Sequence, residues 1–181
     1  MAKILIVNSS ARKESNSRIL AAKVAEGAAG NGHTVKTIEI GKMPIQPCIG
    51  CESCQKKPGN CVLKDELTGF YQDIIEADIL ILSSPIYFFA MNGQMKTFID
   101  RIYPIMSSFK GKKIGAVFSY GDVDPVKSGC VNAIRILQDI CGSELIEAIW
   151  VGAVYGSLLE KGAAAESPEL LKLAEDYGAS L

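Results

Sequence analysis

One histidine, one tryptophan and almost no net charge leave this 181-residue chain little to work with for several common kinds of chemistry. A lone histidine, His33, following Gly32 at a turn, excludes a histidine-rich metal site and reads as a solvated position rather than a ligand. With 19 basic residues against 20 acidic ones there is no basic face for nucleic acid, so small molecules are the expected partners. No apolar run approaches the roughly 18 residues that would span a bilayer, and the apolar start Met1–Val7 is too short and lacks the basic leader of a signal peptide. A cytoplasmic protein away from membranes is expected, and six cysteines in such a chain imply a reducing compartment. The sequence also has neither the Gly-x-Gly-x-x-Gly of a dinucleotide fold nor the Gly-x-x-x-x-Gly-Lys of a nucleotide triphosphatase.

What is present is hydrophobic material, 48% of residues, in alternating short and long patterns that suit one compact domain over residues 1–181. Strand-length apolar runs fall at Lys3–Val7, Thr34–Ile40, Asp78–Ser83, Lys113–Ser119 and Leu145–Val151, several of them apolar on both faces as in a covered parallel sheet. Helical patterns separate them, at about Ser17–Ala29, Asp65–Glu76, Gln94–Ile105 and Val126–Cys141, and Pro168–Ala179 closes the chain. This alternation predicts an α/β doubly wound five-stranded parallel sheet, a three-layer sandwich of flavodoxin-like strand order 2-1-3-4-5. A ligand then belongs at the carboxyl ends of the strands.

Three segments follow those ends. After strand 1, Asn8–Ser17 offers hydroxyls and amides opening onto a helix N-terminus, which suits a terminal phosphate, with Arg12 adding charge; the plain alternative is that Ser15 or Asn16 caps the helix. After strand 3, Pro85-Ile86-Tyr87-Phe88-Phe89 places three aromatics together, at least one of which is expected against a flat ligand or a partner subunit. After strand 4, Ser119-Tyr120-Gly121-Asp122 is a small-residue turn that lets backbone approach a planar group. Asp122 and Tyr120 sit where they would tune such a group, though Asp122 reads equally as a turn residue. Asp100 and Arg101 read as surface or helix-end ion pairs, and Trp150 and Tyr155 as lining either the site or a subunit contact.

The long non-helical stretch Gly41–Lys64 holds Cys48, Cys51, Cys54 and Cys61. Three cysteines at intervals of two residues and a fourth after six lean toward an iron–sulfur cube, because zinc sites usually set their cysteines in two separated pairs; unligated thiols, zinc and a disulfide stay open as alternatives. Pro58-Gly59 can turn the chain back to close the set. Cys130 and Cys141, about three turns apart on one predicted helix, read as small buried apolar groups outside that set.

Ser10-Ala11-Arg12-Lys13 with Asn16-Ser17, then Pro85-Ile86-Tyr87-Phe88, Lys96 and Phe98-Ile99-Asp100-Arg101, resemble the NADPH-dependent FMN reductase family, which has the flavodoxin-like fold. The cysteine stretch with Val62-Leu63-Lys64-Asp65-Glu66-Leu67 is similar to the iron–sulfur flavoproteins of that family, while Ala11 and Ser15 depart from the Pro and Gly often found in its phosphate loop. The resemblance implies FMN, with its phosphate at Ser10, Arg12, Ser15, Asn16 and Ser17 and its ring against Pro85, Ile86, Tyr87, Phe88, Ser119, Tyr120, Gly121 and Asp122. It implies an oxidoreductase drawing electrons from NAD(P)H or a ferredoxin-like donor for a quinone, flavin or protein acceptor, with a [4Fe-4S] cluster on Cys48, Cys51, Cys54 and Cys61. A homodimer or dimer of dimers is expected from the exposed aromatics. The competing function is a non-enzymatic flavin- or metal-binding module used for redox sensing.

Overall fold

The structure, a computed structural model, describes residues 1–144 and 146–181. Its elements run β1 (Lys3–Asn8), α1 (Asn16–Gly30), β2 (Thr34–Glu39), α2 (Ser53–Lys56), α3 (Tyr71–Glu76), β3 (Ile79–Tyr87), β4 (Ala90–Met91), α4 (Gly93–Arg101), β5 (Lys113–Tyr120), α5 (Cys130–Cys141), β6 (Ile149–Ser157) and α6 (Pro168–Ala179). The sheet order is β2-β1-β3-β5-β6, all parallel, with β4 paired antiparallel to the end of β3. The parallel strands alone follow the expected 2-1-3-4-5 order; the two-residue β4 is an addition to it.

Alternation along each strand builds two cores. Ile4, Ile6, Ile79, Ile81 and Val117 meet Leu20 and Val24 of α1 and Ala174 of α6 on one face. Leu5, Val7, Leu80, Leu82 and Phe118 meet Tyr71 and Ile74 of α3, Phe98 of α4 and Leu137 of α5 on the other. Helices α1 and α6 approach closely because both present glycine: a Cβ at Gly27 would lie 1.9 Å from the Glu175 carbonyl oxygen, and one at Gly178 would lie 2.1 Å from that of Val24.

Several element boundaries differ from expectation, each for a local reason. The run 65–76 opens as a 3-10 turn, Glu66–Phe70, before α3, and Gly69 lies in that weak part. Helix α4 stops at Arg101 because Pro104 lacks the N–H an α-helix needs, and the chain continues as a 3-10 turn over Tyr103–Phe109. Gly129, with φ 81°, holds the start of α5 back to Cys130. Strand β3 runs four residues past Ser83, since pairing with β5 continues through Pro85 opposite Ser119. The last strand begins at Ile149 rather than Leu145, which lies outside the described residues, and it reaches Ser157. Its glycines thin the apolar signal there: Gly156 lies under Leu170, where a Cβ would come within 2.6 Å of a side-chain methyl.

Candidate active site and cysteine centre

The segment between β1 and α1 is held from below by backbone and hydroxyl contacts. Ser9 Oγ donates to the Ser83 carbonyl at 2.9 Å, Asn92 Nδ2 donates to the Ser9 carbonyl at 2.8 Å, and Arg18 Nη2 donates to the Ser10 carbonyl at 3.2 Å. Gly41 lets the next loop press against it, for a Cβ there would sit 2.2 Å from the Ser10 oxygen. Ser15 takes the capping role, with extended backbone and Oγ accepting from the Arg18 N–H at 3.3 Å. No acidic residue occupies the first turn of α1, so the positive end of the helix is left uncompensated there. Ser10 and Ser17 are buried, and Ser17 Oγ has no hydrogen-bond partner in the protein, the condition in which a buried hydroxyl invites a ligand acceptor.

Asn16 is committed elsewhere. Its Nδ2 donates to the carbonyls of Leu158 at 3.2 Å and Glu160 at 2.7 Å, and its Oδ1 accepts from the Ala164 N–H at 3.1 Å. All its amide capacity therefore serves to dock the chain after β6 onto the loop, leaving only its backbone N–H for an anion.

Above the strand ends lies a cleft of about 220 Å³. One wall brings together Arg12, Ser15 and Asn16; the floor and far wall are Pro85, Ile86, Tyr87, Ser119, Tyr120 and Gly121. Ser10 and Ser17 are buried and are not among the residues that line it, and two further expected residues stand outside it. Phe88 is 95% exposed, at the tip of a hairpin in which Ile86 pairs with Met91 and Tyr87 with Ala90. The two-residue tip takes φ 47° at Phe88 and 68° at Phe89, the left-handed sequence of a type I′ turn that usually selects Asn and Gly. Asp122 is occupied as a turn residue: its Oδ1 accepts from the Asp124 N–H at 3.2 Å and its carbonyl accepts from Ser157 Oγ. Leu158, Leu159, Glu160 and Lys161 complete the cleft. Sequence reasoning missed them by ending the last strand too early; the rule that ligands gather at strand ends would have reached them with the strand extended to Ser157. Lys161 Nζ meets Glu14 Oε2 at 2.7 Å across the mouth. The Tyr120 ring lies 6.4 Å from that of Tyr155, and burial raises the Tyr120 hydroxyl pKa, keeping it protonated at neutral pH. Trp150 packs on the α3–α5 core instead, and His33 Nδ1 accepts the Ala2 N–H at 3.1 Å.

All four clustered cysteines line a second cavity, of about 290 Å³, walled by apolar side chains such as Ile49, Val62, Ile99 and Met106. Cys48 and Cys51 are exposed, Cys54 and Cys61 half-buried, and all six cysteines of the chain are free thiols. The Ser53 N–H and hydroxyl lower the Cys51 thiol pKa. Gly59, with φ 83°, turns the chain back and donates its N–H to the Pro104 carbonyl at 2.7 Å, bringing Cys61 to the same cavity. Among the described residues, no group of three or more Cys, His, Asp or Glu is gathered as tightly as one metal ion requires. A cubane asks for a wider set, since each thiolate binds a different iron, and four thiols around one apolar cavity fit that donor pattern. Cys130 and Cys141 lie buried at the two ends of α5, where burial pushes their thiols up to about 12 and about 11.

Arg101, expected near the surface, is 1% exposed. Nη1 donates to Asp65 Oδ2 and to the Gln46 carbonyl, both at 2.6 Å; Nη2 donates to Asp65 Oδ1 at 3.1 Å and to the Leu63 carbonyl at 3.2 Å. Burial works against both charges, yet the pairing prevails: the Asp65 carboxyl is held below its ordinary value and the guanidinium above its own. Asp100 does form a surface pair, with Lys96 at 2.6 Å. At the other end of α4, Asn92 caps the helix by accepting from the Met95 N–H at 3.1 Å and is tied to Ser84 and Ser9 beneath the cleft.

The sequence over residues 2–157 matches the family of NADPH-dependent FMN reductases. The chain belongs to the NADPH-dependent FMN reductase family. Among curated proteins, an iron-sulfur flavoprotein of Methanocaldococcus jannaschii is 31% identical over 120 residues, 66% of this chain and 62% of its own length. One from Archaeoglobus fulgidus is 37% identical over 117 residues, 63% of this chain and 52% of its own. The chain thus spans between about half and three fifths of the length of these relatives. Two solved structures share the fold: the Trp repressor binding protein from Bacillus subtilis (TM-score 0.71, 22% identity, 96% of this chain and 99% of that one) and the NAD(P)H:quinone oxidoreductase from Methanothermobacter marburgensis (TM-score 0.74, 16% identity, 99% and 96%). No helix among the described residues is long and apolar enough to cross a membrane.

Proposed function

We propose that this chain is an FMN-dependent oxidoreductase that takes electrons from NAD(P)H and delivers them to a quinone, a flavin or a protein acceptor. The observation that carries the reading is the pairing of the open cleft at the strand ends with a buried, partnerless Ser17 hydroxyl in the first turn of α1. Family membership and the quinone reductase among its structural neighbours support it. Backbone N–H groups of the first turn of α1, Ser17 Oγ and Arg12 would hold the phosphate, while Pro85, Ile86, Tyr87 and the Ser119–Gly121 turn would hold the ring. When bound, FMN supplies the coupling between two-electron and one-electron transfer. The protein binds and orients it: the tied Ser9–Ser17 loop fixes the phosphate end, and the hairpin and Leu158–Lys161 exclude water from the ring edges. The protonated Tyr120 hydroxyl offers a hydrogen bond at the rim of the cleft.

Cys48, Cys51, Cys54 and Cys61 are proposed to hold a [4Fe-4S] cluster, a reading supported by their shared cavity and by relatives named as iron-sulfur flavoproteins. A reducing, cytoplasmic setting suits six cysteines with no disulfide among them. The exposed Tyr87, Phe88 and Phe89 support a homo-oligomer that covers the hairpin.

Protein purified without oxygen and assayed for bound flavin, iron and acid-labile sulfide tests both cofactors together. Steady NADPH turnover with a quinone is the expected activity. Fast reduction by ferredoxin but not by NADPH would move the chain to the electron carriers, and neither reaction in flavin-loaded protein would refute the enzymatic reading.

A further inference from the structure

A buried ion pair returns little net stability, because desolvating both charges costs about as much as their attraction yields. The Arg101–Asp65 pair, with 1% and 5% of the two side chains exposed, therefore calls for a role beyond holding α4 in place. Its location supplies one. The guanidinium lies at the wall of the cysteine cavity, beside the Cys61 thiol. Four of its five N–H groups are spent on Asp65 and on the carbonyls of Gln46 and Leu63, which bracket the segment carrying all four cysteines. The fifth, on Nε, is buried and makes no hydrogen bond of its own, and the sulfur that lies beside the guanidinium is that of Cys61.

We propose that Arg101 is the positioning residue of the cysteine centre: it clamps both ends of the loop and reserves its Nε–H for a sulfur held in the cavity. The second half rests on the reading that this loop holds an iron–sulfur cluster; the first does not. Hydrogen bonds to cluster sulfurs and nearby positive charge favour the reduced, more negative state. Asp65 opposes that influence while completing the clamp, accepting from the Gln46 N–H at 3.0 Å as well as from Arg101. The two partners thus act together on geometry and against each other on potential, a signature that a purely structural pair would not give.

Two measurements on the whole chain separate these effects. The first is amide hydrogen exchange of the iron-free protein. In R101Q and D65N alike, the Gln46 and Gly59 amides should exchange at least about tenfold faster than in wild type, because both depend on the clamped loop. R101K, which keeps the charge but loses the fork, should behave as R101Q does, and it decides the point if R101Q does not fold. Unchanged exchange in R101K and D65N would overturn the clamp. The second is the midpoint potential of the reconstituted cluster followed by its visible spectrum. R101Q should shift the reduced-to-oxidised ratio about tenfold toward oxidised, 59 mV lower for one electron, and D65N should shift it upward. Shifts of the same sign, or none, would overturn the reserved Nε–H. Wild type that takes up no iron would refute the cluster reading and the Nε–H role with it, while the exchange experiment would still decide the clamp.

Discussion

Replacing Ser17 by alanine should move two quantities in opposite directions. In the free protein the hydroxyl is buried without a partner, which costs about 1–3 kcal/mol relative to a paired or solvated group. Losing it should leave the flavin-free chain no less stable, and up to about 1 kcal/mol more so, a rise of roughly 2–4 °C in melting temperature for a protein of this size. With FMN bound, the same hydroxyl would donate to a phosphate oxygen, and hydrogen bonds to charged groups contribute about 1.5–3 kcal/mol. FMN affinity should then fall about 10- to 150-fold. Riboflavin, which lacks the phosphate, should bind wild type and S17A equally. Quenching of flavin fluorescence on titration gives both affinities, and a thermal melt of the stripped protein gives the stability. An S17A protein that melts lower and binds FMN as tightly as wild type would show that the hydroxyl serves the fold, and the phosphate would have to be placed elsewhere.

Replacing Cys51 by serine should strip or destabilise iron while leaving FMN bound, because the cleft and the cysteine cavity share no lining residue, whereas C130A should retain both; iron content and visible spectra of oxygen-free preparations decide it. Burial holds the Cys130 and Cys141 thiols up to about 12 and about 11, while in the unfolded chain they titrate at about 8.5. The stability this confers is complete below the unfolded value and is lost as pH climbs toward the folded ones. Unfolding free energies from urea titrations should accordingly fall between about pH 9 and 10 by up to about 1.4 kcal/mol per thiol per pH unit, and a C130A/C141A chain should show a flatter profile. Gly27→Ala should gain about 1 kcal/mol in helix propensity and lose more by forcing α1 away from the Glu175 carbonyl, for a net loss of about 1–3 kcal/mol in a denaturant melt; a stabilised variant would mean that α1 and α6 part easily.

The fold was legible because parallel strands covered on both faces write themselves as continuous apolar runs, such as Ile79–Leu82, between amphipathic stretches. The last strand was misplaced for the converse reason: Gly152 and Gly156 interrupt its apolar run, the first because its φ of 99° suits glycine and the second because Leu170 of α6, far away in sequence, packs over it. Most of the cleft could be read from the rule that strand ends gather ligands. Asn16 shows the limit of that rule, for a side chain typical of phosphate loops is fully used by carbonyls some 142 to 144 residues away. Arg101 was illegible in kind. A basic residue at the end of a helix looks like a surface charge until Gln46, Leu63 and Asp65 are folded around it.

Helix α4 runs nine residues from the floor of the cleft to the wall of the cysteine cavity, a strut of about 13 Å. Its two ends are fastened by unlike means, Asn92 to the backbone under the cleft and Arg101 to the mouth of the loop. One residue inserted between them would swing Arg101 about 100° around the axis and release both ends of the loop together. Residues inserted between Cys54 and Cys61 would only lengthen a tether whose anchors stay put. Length variation across descendants of this chain therefore has a permitted place and a forbidden one, and the forbidden one contains no cysteine at all.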